Sequence, residues 1–149
     1  MGEPRSVDLL AEIRAVLDAL EDQLRDHVVD IEMPRLQAQT DPEVLRRTLT
    51  RLVAEVARRS QPGHSITVRT SRRAQGSGTA QRQVAQVEVV EESGASRADQ
   101  AQDYLGLSAV AQDVHASGGE FGVSSELGCS PTFWFTVPLP AGASGAPDA

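Results

Sequence analysis

The 149-residue chain contains no lysine and a single cysteine, Cys129. One thiol excludes an internal disulfide framework and a cysteine-built zinc site, and it fits a reducing compartment. Arginine is the only strong cation, its copies are scattered, and the formal net charge is −7. Neither nucleic acid nor an anionic membrane is therefore expected as the main partner, because phosphate binding needs clustered basic groups. The chain also lacks any apolar run of about 18 residues and any signal-peptide pattern, which implies a soluble cytoplasmic protein. Aromatic residues make up only 3% of the chain against 40% hydrophobic residues. The core must then be packed from Leu, Val, Ile and Ala, and the length suits one domain.

What is present reads as alternating helices and strands. Ser6 is placed to cap a helix whose apolar positions Leu9, Leu10, Ile13, Val16, Leu17, Leu20 and Leu24 recur at helical spacing. Residues 28–33 alternate like a half-buried strand that Pro34 ends. Asp41-Pro42 sets a capping carboxylate before a proline suited to a first helical position, and Val44, Leu45, Leu49, Leu52, Val53 and Val56 continue the stripe. Residues 65–70 and 84–90 read as two strands of a hairpin around the polar loop 71–83. A helix over 107–116 stops at Ser117-Gly118-Gly119, glycines that accept left-handed backbone angles. Strands over 120–125 and 132–139 follow, joined by a turn at Leu127-Gly128.

About three helices covering one face of a mixed, largely antiparallel sheet of about five strands make a two-layer α/β sandwich, an α+β arrangement. The expected boundaries are an N-terminal tail over 1–6, one domain over 7–140 and a disordered tail over 141–149.

Five stretches carry a family resemblance. Gly106-Leu-Ser-Ala-Val110, His115-Ala-Ser-Gly-Gly-Glu120 and Ser124-Ser-Glu-Leu-Gly-Cys-Ser-Pro-Thr-Phe-Trp-Phe-Thr-Val-Pro-Leu-Pro140 resemble the C-terminal third of the histidine-kinase ATPase domain. The stretch from Asp41-Pro-Glu-Val-Leu45 to Pro62-Gly63 resembles the helix and turn that carry that family's asparagine box, and Val7-Asp-Leu-Leu10 resembles the start of its first helix. The resemblance spans residues 7–140 and implies the Bergerat-type fold of the GHKL superfamily. It further implies an ATP site with magnesium, whose contacts, where retained, would fall on Glu55, Glu91, Ser93, Gly94, Ala95, Tyr104, Gly106, Leu107 and Thr132.

The nucleotide boxes depart from the family pattern. Glu55 stands where the family's asparagine helps hold magnesium. A carboxylate can ligate that metal, but without it two like charges 4 Å apart cost roughly 1 kcal/mol in water and about 4 at an effective dielectric of 20. Arg51 stands where related ATPases keep a general-base carboxylate, so no catalytic base is expected. In the first glycine box, strand alternation with Val87 and Val89 inward puts Glu91 in the position of the adenine-reading aspartate, with Ser93 and Ala95 in place of glycines. The other register selects Glu92 with Gly94 and Ser96, but it turns Glu88 onto the core face. In either register a longer acid replaces aspartate, displacing a base by on the order of 1 Å, a scale that matters for hydrogen bonds. Only residues 97–103 stand where family members carry a longer lid, and Tyr104 replaces the first glycine of the Gly-x-Gly-Leu pattern ending at Gly106-Leu107. The helix amides after Gly106 are a generic anion site.

Each of these residues also has a plain structural reading: Glu55 as a solvated helix residue, Glu91 and Glu92 as an acidic strand end, Tyr104 and Trp134 as packing residues, Cys129 as a spectator thiol. His27, His64 and His115 sit in no phosphoacceptor-like sequence and are too isolated for a metal set. No paired-helix region with an acceptor histidine precedes Val7, so this chain is not expected to autophosphorylate alone. The leading expectation is a degenerate ATPase module in bacterial two-component signalling. It would act through protein contacts with a kinase, a response regulator or a second copy, possible homodimerisation included, and bind ATP weakly or not at all. The alternatives are a divergent ATP-binding half of a split histidine kinase, with Glu55 holding magnesium, and a sensor of a small anion or purine-like ligand in the same cleft.

Overall fold

The structure, a computed structural model, describes residues 5–59, 63–76, 82–92, 107–124 and 132–140. Strand β1 (Arg5–Asp8) leads into helix α1 (Leu9–Ala19), followed by β2 (Val28–Glu32) and β3 (Gln37–Thr40). Helix α2 (Pro42–Arg59) precedes the long strands β4 (Ser65–Gln75) and β5 (Arg82–Glu92), and α3 (Ser108–Ala116), β6 (Phe121–Ser124) and β7 (Thr132–Pro138) close the order. The main sheet runs β2-β4-β5-β7-β6, with β2 parallel to β4 and every other pair antiparallel. The three helices among the described residues and this mixed sheet form the α+β sandwich that the hydrophobic patterns imply.

The core lies between the layers. From the sheet it takes Ile66, Val68, Val87, Val89, Phe133 and Phe135, and from the helices Leu9, Ile13, Leu49, Leu52, Val56, Val110 and Val114, all nearly or fully buried. The alternation expected for β5 holds: Val87 and Val89 are fully buried, and Glu91 follows them on the same face. The other face carries one row across all five strands, because Glu32, Arg69, Glu88, Trp134 and Gly122 are successive cross-strand partners. Arg69 meets Glu32 at 3.5 Å and Glu88 at 3.3 Å. Trp134 lies so close over Gly122 that a Cβ there would come within 2.4 Å of the ring, so the aromatic is sheet packing on the face without helices.

Local details correct some expectations. The cap of α1 is Asp8, whose Oδ1 accepts from the Ala11 amide at 3.3 Å, and not Ser6, whose hydroxyl bonds Gln37. Ser6 lies instead in β1, which pairs antiparallel with β3 in a two-stranded ribbon that no hydrophobic pattern announces. The polar loop is shorter than expected, since residues 71–75 and 82–83 continue the β4–β5 ladder. Polar side chains are compatible with a strand whose paired backbone satisfies its own donors and acceptors. The Leu127-Gly128 turn, Cys129 and residues 141–149 lie outside the described residues. No helix among the described residues is long and apolar enough to cross a membrane.

The start of α2 is as its sequence suggests: Asp41 Oδ1 accepts from the Glu43 amide at 3.0 Å, and Pro42 occupies the first helical position. Asp41→Ala should lower stability by about 1 kcal/mol, up to about 2, the usual worth of such a cap. Urea unfolding of the two proteins measures it, and an unchanged midpoint would show that the cap contributes nothing.

Candidate functional site

Helix α2 and the sheet end that follows it build the site. After Arg59 the chain returns into β4, whose first residues pair with the last of β5, Ile66 opposite Glu91 and Ser65 opposite Glu92. Glu55 lies on the last turns of α2 and so at this same end. Thr132, opposite Val90, opens β7 here too. Helix α3 runs antiparallel to α2: Asp113 meets Arg47 and Arg51 at 3.1 and 3.4 Å, while Val114 and Ser117 share a small cavity with Val44, Leu45 and Thr48, earlier on α2. The start of α3 at Leu107 therefore points back towards the Glu55 turns. Glu55, Glu91, Leu107 and Thr132 all converge on one end of the domain. Ser93, Gly94, Ala95, Tyr104 and Gly106 lie outside the described residues.

Both candidate carboxylates there have partners within the chain. Glu55 Oε2 accepts from the Arg58 guanidinium at 2.5 Å, and its side chain is only 14% exposed, so it is a paired rather than a solvated helix residue. Glu91, also 14% exposed, meets His64 Nδ1 at 2.7 Å. His64 is itself anchored, since its carbonyl lies 3.0 Å from His27 Nδ1 and the neighbouring Gly63 amide donates to Asp26 O at 2.7 Å. Gly63 has φ +94, a left-handed angle that suits glycine in this turn.

Sequence reading passed over Arg58 and set His64 aside as an isolated histidine. The first was legible, because residues three apart on a helix are neighbours. The second was not, because 27 residues separate His64 from Glu91 and only the β4–β5 register brings them together. Arg51, which the resemblance aligns with a general-base carboxylate of related ATPases, is held in the α2–α3 ion pair with Asp113. Beside it, the hydrogen bond that Arg47 donates to Asp113 raises the pKa of that guanidinium above its ordinary value, as the bond Arg46 donates to Glu12 does across the α1–α2 contact. No group of three or more His, Cys, Asp or Glu placed to hold a metal occurs among the described residues. A magnesium ion at Glu55 would have to share the carboxylate with Arg58 or displace it.

The topology and the position of this end of the sheet define the fold of a histidine-kinase-type ATPase domain. Among known proteins, the adaptive-response sensory kinase SasA of Synechococcus elongatus is 32% identical over 155 residues, covering 91% of this chain and 39% of that protein. The chain thus spans about two fifths of the length of the curated relative it matches. The mycobacterial sensor histidine kinase MprB superposes with a TM-score of 0.72 at 18% identity, over 91% of this chain and 97% of that one. The nucleotide-free catalytic domain of histidine kinase ThkA gives 0.72 at 17% identity, over 93% of this chain and 97% of that one. Full-length ShkA in complex with AMPPNP gives 0.67 at 20%, over 93% of this chain and 32% of that one. At these identities the solved structures establish the fold. No family model matches the chain.

Proposed function

We propose that this domain is a degenerate histidine-kinase-like ATPase module of two-component-type signalling, cytoplasmic, acting through protein contacts and binding ATP weakly or not at all. The observation that carries the reading is the internal pairing of both carboxylates at the nucleotide positions, Glu55 with Arg58 and Glu91 with His64. An incoming adenine would have to compete with an imidazole for Glu91, and magnesium with a guanidinium for Glu55. Charge-assisted hydrogen bonds are the stronger class, and a ligand that displaces one gains only the difference. The chain also contains no asparagine, so the residue type of the family's asparagine box occurs nowhere in it. A kinase, a response regulator or a second copy is the expected partner. ThkA, which shares the fold, has been crystallised with the response regulator TrrA.

The convergence of Glu55, Glu91, Leu107 and Thr132 on one end favours a second reading, a divergent ATP-binding domain that phosphorylates a histidine on another chain. Calorimetric titration with ATP, with and without magnesium, separates the two. The first expects no heat up to millimolar ATP under either condition. Micromolar binding that requires magnesium overturns it and supports the second.

A further inference from the structure

We infer that the free edge of β2, beside α1, binds an extended basic segment of a partner protein as an added strand. Among the described residues, strand β2 is the end member of the five-stranded sheet and pairs only with β4. Along it, exposed and half-buried residues alternate: Val29 and Ile31 face the helices, while Val28, Asp30 and Glu32 face the open side. Next to Val29 and Ile31 runs an open groove of about 630 Å³, walled by Leu17 and Leu24 from α1 and the turn after it. Val28, on the other side of the same strand, is 59% exposed, the one large hydrophobic residue so exposed among the described residues. An added strand accounts for both features, because its side chains alternate between the two faces and its backbone meets the unpaired row of β2. A helix lying in the groove would leave Val28 uncovered.

Charge decides what kind of strand. Between residues 18 and 32 the chain places Asp18, Glu21, Asp22, Asp26, Asp30 and Glu32 against one arginine, Arg25. Of the groove-lining charges, Asp18 and Glu21 stand with Arg14 and Arg25, and Asp30 sits at the centre of the edge itself. Arg25 is already paired with Asp22 at 2.9 Å and Glu32 with Arg69 at 3.5 Å, so Asp30 is the acid that faces an incoming strand. A second copy is a poor occupant: antiparallel self-pairing centred on Asp30 sets Asp30 against Asp30, and like charges directly opposite are destabilising. Acidic edge residues thus discourage self-assembly, as charges on natural edge strands do, while complementing Lys or Arg on a partner. The residues of this chain outside those described hold one basic side chain, Arg97, so they do not supply the segment. The inference rests on the α1–β2 geometry and is independent of whether ATP binds.

The probe is a short synthetic peptide alternating lysine and valine, titrated into the intact protein. Controls are the same peptide with glutamate for lysine and a peptide of similar composition with helical spacing. Binding of the basic alternating peptide is expected, weakening as salt rises, with amide shifts centred on residues 28–32. The double variant Glu21→Lys/Asp30→Lys should weaken it at least tenfold. If that variant unfolds, Glu21→Gln/Asp30→Asn serves, with a smaller loss in the same direction. The inference is overturned by no binding at millimolar peptide, equal binding of the acidic peptide, preference for the helical peptide, shifts confined elsewhere, or affinity unchanged in the variants. A dimer built through β2 in sedimentation would likewise overturn it.

Discussion

Phe135→Ala is expected to remove about 3–5 kcal/mol of stability, the usual range for emptying a buried aromatic site. Phe135 is the largest of the fully buried side chains, lies opposite Val87 on β5 and Phe121 on β6, and reaches the cavity walled by Thr48 of α2 and Val114 of α3. It therefore joins the sheet to two helices. The surrounding side chains are branched aliphatics and backbone-fixed strand residues, which cannot close around a void the size of a phenyl ring. Domains of this kind have total stabilities of about 5–15 kcal/mol, so the loss is a large fraction. With a denaturant slope of about 1–3 kcal/mol per molar urea, the unfolding midpoint should fall by on the order of 2 M. Trp134, the only tryptophan and the next residue along β7, reports the transition. Phe135→Leu should recover most of the loss. A drop under about 1 kcal/mol for the alanine variant would mean the helical layer does not pack on β7 as described.

Gly119→Ala is the second large effect, for a reason its neighbour does not share. Gly118 has φ +85 and open space around it, so alanine there suffers only the left-handed backbone penalty, about 1–2 kcal/mol. Gly119 has no such angle, correcting the expectation that both glycines serve the same end. A Cβ on Gly119 would lie 2.2 Å from the carbonyl oxygen of Thr136 and 3.2 Å from Val114 Cγ1. That carbonyl cannot step aside freely: the Thr136 amide donates to Glu120 O at 2.9 Å, and the Thr136 hydroxyl accepts from the Glu120 amide at 2.9 Å. Thr136 is also opposite Gln86 in the central ladder. Relief requires moving β7 or the start of β6, and a cost of about 2–3 kcal/mol or more is expected from such overpacking. Parallel melts of both alanine variants test this, and Gly118→Ala proving the more damaging would contradict the close approach.

Helix α2 shows how far composition and spacing reach. Its cap, its proline and its stripe of Val and Leu are local signals, so start, face and partner layer were all readable. The Val87–Val89 alternation likewise placed Glu91 on the covered face, since a period of two fixes orientation once one face is buried. The β1–β3 ribbon was not legible, because Gln37-Ala-Gln-Thr40 has a strand's backbone pairing without a strand's hydrophobic pattern. Asp8 against Ser6 as the cap turned on where β1 ends, a matter of pairing with β3.

The amino-acid order by itself determined the layers: hydrophobic periods of two and of about 3.6 commit each segment to strand or helix and name its buried face. It also carried the resemblance that points to Glu55 and Glu91 as nucleotide contacts, and it contains no asparagine. Only the tertiary structure decided what those residues touch. His64 reaches Glu91 through a strand register, α3 turns its start towards Glu55 through an ion pair with α2, and β2 is left at the edge by the order of the sheet. Those are relations between segments distant in sequence, and they are set by packing, which no local pattern encodes.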